Sequence, residues 1–271
     1  MKLPVYMRFP QNISTKIIAT DPRQWILHEN EYFMVVNKPA GILVHPTPRV
    51  QTATLIQLLQ PYYPNHDLGL VHRLDRETSG LLLIGKNKVT TGALGKKMEA
   101  RKIQKKYVAI VHGVPDWDEQ VIDAPIGFQG LSETNRIYLR QAIKPNGSEA
   151  ITHLRVLQRG ERHSVIEAVP ITGRLHQIRV HLASVGLPIV GDKIYGREPD
   201  AFLDFIEKGW TAALAEKLYL PRHALHAYAL ALNWQNENRY FHADWSEDLV
   251  EFWTSHEPNV TIQPLIQAEA R

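Results

Sequence analysis

The stretch Leu70–Lys86, LVHRLDRETSGLLLIGK, limits what this chain can become more than any other. Its second half holds four consecutive apolar residues, Leu81–Ile84, between Gly80 and Gly85, the pattern of a buried strand. Just before it, His72, Arg73, Asp75, Arg76, Glu77, Thr78 and Ser79 crowd eight positions in which only Leu74 is apolar. Most polar runs of this kind are solvated loops. This one is wedged between Leu68–Val71 and a core strand, so its charged groups are mounted where a core opens to solvent.

Two chemistries compete for the stretch. Gly80 to Lys86 fits the first seven positions of the phosphate-binding pattern GxxxxGK[ST], but Asn87 stands where a hydroxyl would hold magnesium. The four intervening residues also prefer an extended strand to a loop around phosphates. The other reading is a carboxylate nucleophile, Asp75, in a turn flanked by Arg73 and Arg76. On residue type alone a turn-forming aspartate is the commoner role.

A wider pattern bears on that choice. HRLDRETSGLLL, with VVNKPAGILVHP before it and ITGRLHQIRVHLASVGLPIVGDKIYG after it, resembles the RluA family of pseudouridine synthases over about Ile26 to Phe252. The resemblance implies an RNA pseudouridine synthase without metal or cofactor, acting on a uridine in structured RNA, ribosomal or transfer. It implies that Asp75 is catalytic and that Arg73 enters the space vacated by the flipped nucleotide. Tyr107 would stack on the uracil, and Arg179 would pair with Asp75. It also implies an α+β pseudouridine synthase fold, a mixed and mostly antiparallel central sheet with flanking helices and an active-site cleft. Family members often carry a small S4-type RNA-binding domain in front, and the first twenty-five residues are too few for one.

The residues support parts of this on their own. On a helical wheel over Leu175–Val185, Leu175, Ile178, Leu182 and Val185 form a stripe that Arg179 adjoins. An arginine drawn toward a core needs a carboxylate, since leaving it alone costs on the order of 3–5 kcal/mol. The sequence does not say which. Tyr107 alternates with Ala109 and Val111 in a strand, where a plain core aromatic is the commoner reading. Lys96, Lys97, Arg101, Lys102, Lys105 and Lys106, opposed only by Glu99, suit a surface that follows phosphates, although charge runs are more often solvated helix faces. His223 and His226 lack a third ligand for a metal.

Composition narrows the setting. The chain has 271 residues, 44% hydrophobic and 22% charged, with 31 Lys+Arg against 28 Asp+Glu. That allows a substantial core and makes the protein mildly basic, which is compatible with RNA without establishing it. The absence of cysteine excludes disulfides, thiolate metal sites and a cysteine nucleophile. No apolar run is long enough to span a bilayer, so a cytoplasmic protein is expected, and a monomer is expected alongside it.

The expected organisation is an extension over 1–25, a catalytic domain over 26–256 and a tail over 257–271. Within it, strands are expected over Tyr32–Asn37, Ile42–Val44 and QKKYVAIVHG, and as a hairpin of Thr152–Gln158 with Ser164–Val169. Helices are expected over Thr54–Leu59, Lys88–Arg101 behind an Asn87 cap, Leu175–Val185 and about Ala201–Ile206. Ala224–Leu232 reads as either. A non-catalytic RNA-binding protein on the same scaffold is the competing function, and the intact HRLD block opposes it, because pure binding has no need of a carboxylate among phosphates.

Overall fold

A computed structural model describes residues 20–46, 53–132 and 135–265. The first nineteen residues, most of the expected extension, lie outside that range, as do the last six of the tail.

In chain order the strands are β1 (Ile26–Glu29), β2 (Phe33–Lys38), β3 (Gly69–Leu70), β4 (Ser79–Gly85), β5 (Ile103–His112), β6 (Glu119–Asp123), β7 (Ile126–Phe128), β8 (Gln141–Ile143), β9 (Ile151–Arg159), β10 (His163–Pro170), β11 (Leu225–Trp234) and β12 (Glu237–His242). The helices are α1 (Leu55–Leu59), α2 (Lys88–Glu99), α3 (Gln177–Ser184), α4 (Ala201–Lys208), α5 (Ala212–Leu218) and α6 (Glu247–His256). They form two compact units. Among the described residues, one contains 20–105 with His226–Asp244, and the other contains Lys106–Leu225 with Trp245–Pro264. The first holds Asp75 and the second Arg179, and they are called here the aspartate and arginine units.

In the aspartate unit, β2 pairs antiparallel with β1 and with β4, β3 pairs antiparallel with β4, and β12 pairs antiparallel with β11. The link between β4 and β11 is parallel, with His226 opposite Ser79 and Ala227 opposite Gly80. That pairing requires glycine at position 80. Its φ is +105°, and a Cβ there would lie 2.2 Å from the Ala227 carbonyl oxygen. Every residue of β4 is buried, as its unbroken apolar run predicts. Leu81 and Leu83 point into a core with Phe33, Val35, Leu94, Ile103, Leu230, Leu232 and Phe241.

The arginine unit is antiparallel. β5 pairs with β10, β10 with β9, and β9 with β6, while β7 and β8 form a separate ribbon. The expected hairpin is β9–β10, and Glu257 fastens its turn. The buried Glu257 carboxylate accepts from the backbone N–H groups of Glu161 (2.5 Å), Arg162 (3.0 Å) and His163 (3.0 Å), and it lies 2.8 Å from His163 Nδ1. Burial alone would raise its pKa, and these hydrogen bonds outweigh burial and lower it. The whole is an α+β fold with a mixed, mostly antiparallel sheet and helices beside it.

Two local expectations change, and one reading left open is decided. Ile42–Val44 is not a strand, because the Ile42 carbonyl is taken by the Lys38 ammonium and the Leu43 carbonyl by the Leu55 N–H. Helix α3 begins at Gln177, not Leu175, since His176 sits in the left-handed region (φ 58°, ψ 18°) and breaks the helical path. Leu175 is therefore outside the apolar stripe and 40% exposed. In α2 the buried face is carried by Thr90 and Leu94, and Val89 is 84% exposed. The segment read as helix or strand is the strand β11.

Candidate active site

Asp75 lies in the turn between β3 and β4, half-buried, with its carbonyl accepting from the Thr78 N–H at 3.2 Å. The turn is held through the residue after it. The Arg76 carbonyl accepts from the Gly41 N–H at 2.7 Å and from Lys38 Nζ at 3.2 Å, and Arg76 Nε donates back to the Gly41 carbonyl at 2.9 Å. Gly41 has φ +93°, a conformation that makes glycine the natural residue at this clamp. Lys38 is fully buried at the end of β2 and also donates to the Pro39 (2.9 Å) and Ile42 (3.2 Å) carbonyls. One buried ammonium thus fastens two loops, the Lys38–Ile42 turn and the Asp75 turn.

The flanking groups divide their work. Arg73 is exposed, with Nη1 3.3 Å from His45 Nε2. Desolvation, then the Arg73 charge, lowers the pKa of His45. His72 accepts from the Leu83 N–H through Nε2 at 3.2 Å. Burial, with the Lys105 charge second, pulls its pKa down to about 3, so it is a neutral strut between the turn and β4. Behind the turn, Ser79 Oγ lies 2.8 Å from His226 Nδ1, which gives one of the two histidines weighed as metal ligands a hydrogen-bonded place in the core.

In the arginine unit, Tyr107 is buried on β5 opposite Ala168 of β10. Arg179 is in the first turn of α3 and only 5% exposed, as its neighbours on the wheel required. A carboxylate the sequence did not single out holds it. Arg179 Nε donates to Asp192 Oδ2 at 2.7 Å and Nη2 to Oδ1 at 2.9 Å, a two-bond fork. Oδ1 also accepts from the Ile194 N–H (2.9 Å) and Tyr195 N–H (3.0 Å). Burial would raise the Asp192 pKa, but the Arg179 charge and hydrogen bonds, His223 and the Tyr195 N–H together hold it well below the usual carboxylate range. The Arg179 guanidinium lies 5.0 Å from the centre of the Tyr195 ring. The Tyr195 hydroxyl accepts from the Gln141 N–H at 2.8 Å and lies 2.8 Å from His176 Nδ1.

The basic cluster is not uniform. Lys96, Arg101 and Lys102 are exposed, while Lys97 and Lys105 are half-buried. Burial lowers the Lys105 pKa to about 8. Lys106 is drawn toward Glu167, 3.8 Å away, which also pairs with Arg155 at 3.0 Å. Lys106 is therefore engaged within the protein, whereas the Lys96 and Lys102 side chains are exposed to solvent.

Two residues of this geometry, Lys38 and Asp192, escaped the sequence reading. Asp192 had a usable signal, since it stands thirteen positions after Arg179 in a short turn bracketed by Gly191 and Gly196. Lys38 had a weaker one, because nothing in NKPAG marks the lysine as buried.

A family model described as RNA pseudouridylate synthase matches residues 32–184, which contain Asp75, Tyr107 and Arg179. A protein of Bacillus subtilis called an uncharacterized RNA pseudouridine synthase is 33% identical over 258 residues, covering 91% of this chain and 77% of that protein. Ribosomal large subunit pseudouridine synthase C of Buchnera aphidicola is 38% identical over 244 residues, covering 85% of this chain and 72% of the relative. Among solved structures, human RNA pseudouridylate synthase domain containing 4 is 26% identical, with a TM-score of 0.70 over 89% of this chain and 96% of the other.

Proposed function

Because the chain belongs to the RNA pseudouridylate synthase family, we propose that it converts a specific uridine of structured RNA to pseudouridine, with Asp75 as its covalent catalyst. In the reaction the N1–C1′ bond breaks, the uracil turns, and C1′ joins C5. C5 then gives up its proton and N1 takes one, so no oxidant, hydride or phosphate is consumed. Asp75 attacks either C1′ or the uracil ring. Arg73 fills the space left by the flipped nucleotide, Tyr107 stacks on the uracil as any aromatic can on a base, and Arg179 serves Asp75. Flipping costs a few kcal/mol of stacking, which favours a uridine in a loop or a distorted helix.

The observation that carries the reading is the Asp75 turn, an aspartate whose next residue, Arg76, is fixed through its backbone carbonyl by a buried lysine and a glycine. The exposed Lys96, Arg101 and Lys102 supply phosphate contacts. The RNA is ribosomal or transfer, and residues 26–256 act as the catalytic domain of a cytoplasmic monomer. Mapping pseudouridine by mass spectrometry in RNA from cells with and without the gene tests the function. A site that disappears with the gene, and returns with the wild-type gene but not with Asp75→Asn, is the expected result. An unchanged map would reject it.

A further inference from the structure

Arg179 poses a question that the proposed reaction does not answer. A guanidinium is planar and presents its donors in fixed directions. Here Nε and Nη2 are both committed to Asp192, at 2.7 and 2.9 Å, and the Tyr195 ring lies against the group at 5.0 Å. One edge and one face are thereby set, and with them the direction of Nη1. The carboxylate doing this is itself immobile. Asp192 is wholly buried, and its Oδ1 is pinned by the Ile194 and Tyr195 N–H groups. The turn around it tolerates no side chain at either end. A Cβ at Gly191 would lie 2.1 Å from the Arg222 carbonyl oxygen, and one at Gly196 would lie 2.1 Å from that of Asp192.

We propose that Asp192 is a positioning residue for the reaction, fixing the plane of Arg179 so that the arginine acts as an aimed donor rather than a mobile charge. The inference rests on the function proposed above. It also assigns a role to Tyr195. Its ring backs the guanidinium, and its hydroxyl, held by Gln141 and His176, fixes the ring. A mobile positive charge would need neither the fork nor the ring, and a lysine would serve. An aimed donor needs both.

The test is a double-mutant cycle on turnover. Four proteins are compared: wild type, Arg179→Met, Asp192→Asn and the double variant. The substrate is an in vitro transcript of the RNA whose pseudouridine depends on the gene, labelled with tritium at uridine C5, and kcat and KM are read separately. Asp192→Asn keeps the shape and an acceptor for the two backbone N–H groups but breaks the ionic fork. It is expected to lower kcat at least tenfold with KM within about threefold. In the Arg179→Met background the same change is expected to cost less than threefold, because there is no guanidinium left to aim. If Asp192→Asn alone does not fold, Asp192→Glu and Arg179→Lys are used, and both are expected to be well below wild type in kcat while melting as single cooperative units. Equal losses in both backgrounds, or an Arg179→Lys enzyme as fast as wild type, would overturn the positioning role while leaving the function standing. A wild type that releases no tritium would overturn the function and the inference with it.

Discussion

The Asp75 turn and the Arg179 helix are held in place by opposite means. Asp75 is located through main-chain atoms of its neighbour Arg76, gripped by Lys38 and Gly41. Arg179 is located through its own side chain, whose charge is a member of a buried ion pair. In the first case the group proposed to react and these backbone fastenings are separate. In the second they are one and the same, so function and stability fall together. The contrast orders the expected effects of substitution.

The largest effect is expected where chemistry and scaffold are separate. Asp75→Asn should abolish pseudouridine formation while leaving RNA affinity within about tenfold, roughly 1.4 kcal/mol, and the melting temperature nearly unchanged. A comparable loss of stability would show that Asp75 is part of its own scaffold and break the comparison. Next is Arg179→Met. It strands Asp192 as a buried anion, so about 3–5 kcal/mol of stability should go with the activity, read as a lower urea midpoint. Raising the pH to 9 should recover little turnover, since what is lost is placement. Recovery at high pH would instead make ionisation of Asp75 the dominant loss. Lys38→Met comes third. It removes a charged donor shared by three carbonyls, each such bond being worth about 1.5–3 kcal/mol. It should slow turnover more than it weakens RNA binding.

The smallest effect concerns pH. The Lys105 pKa is lowered to about 8 in the folded protein, against about 10.4 unfolded. Between those values the folded state binds fewer protons, so stability rises with pH across that window. In the folded protein Lys105 loses its charge as the pH passes about 8. If it contributes to RNA binding, the slope of log affinity against log salt should flatten by up to about 0.9 between pH 7 and 9, and Lys105→Gln should remove that change. Lys106→Gln should move the slope less than Lys102→Gln, because Glu167 already engages Lys106.

Local pattern made much of this legible. The buried run of β4, the β9–β10 hairpin and the Asn87-capped α2 follow from spacing and capping chemistry, which act over a few residues. The start of α3 did not, because the Gln177 side chain binds Thr172 Oγ1, the Arg174 N–H, the Ile151 carbonyl and Thr152 Oγ1, contacts spread over twenty-six positions. The wheel placed Arg179 against a core and required a carboxylate without naming it. Asp192 fills that requirement within the arginine unit. Lys38 was invisible for a related reason. Its partners are backbone carbonyls, which every residue owns, so no residue type advertises the site.

The parallel pairing of β4 with β11 has a further consequence, one of timing. The Ser79–His226 contact joins residues 147 positions apart. At about 5–20 residues per second, a ribosome needs roughly seven to thirty seconds to travel from one to the other. Throughout that interval the Ser79–Gly80 end of β4 lacks its β11 neighbour, and a buried strand with part of its edge bare is what recruits chaperones or other nascent chains. The segment that anchors the proposed chemistry must therefore be sheltered while the intervening chain is made, and slowing translation between codons 86 and 225 should lower the yield of active protein more than slowing it after 234.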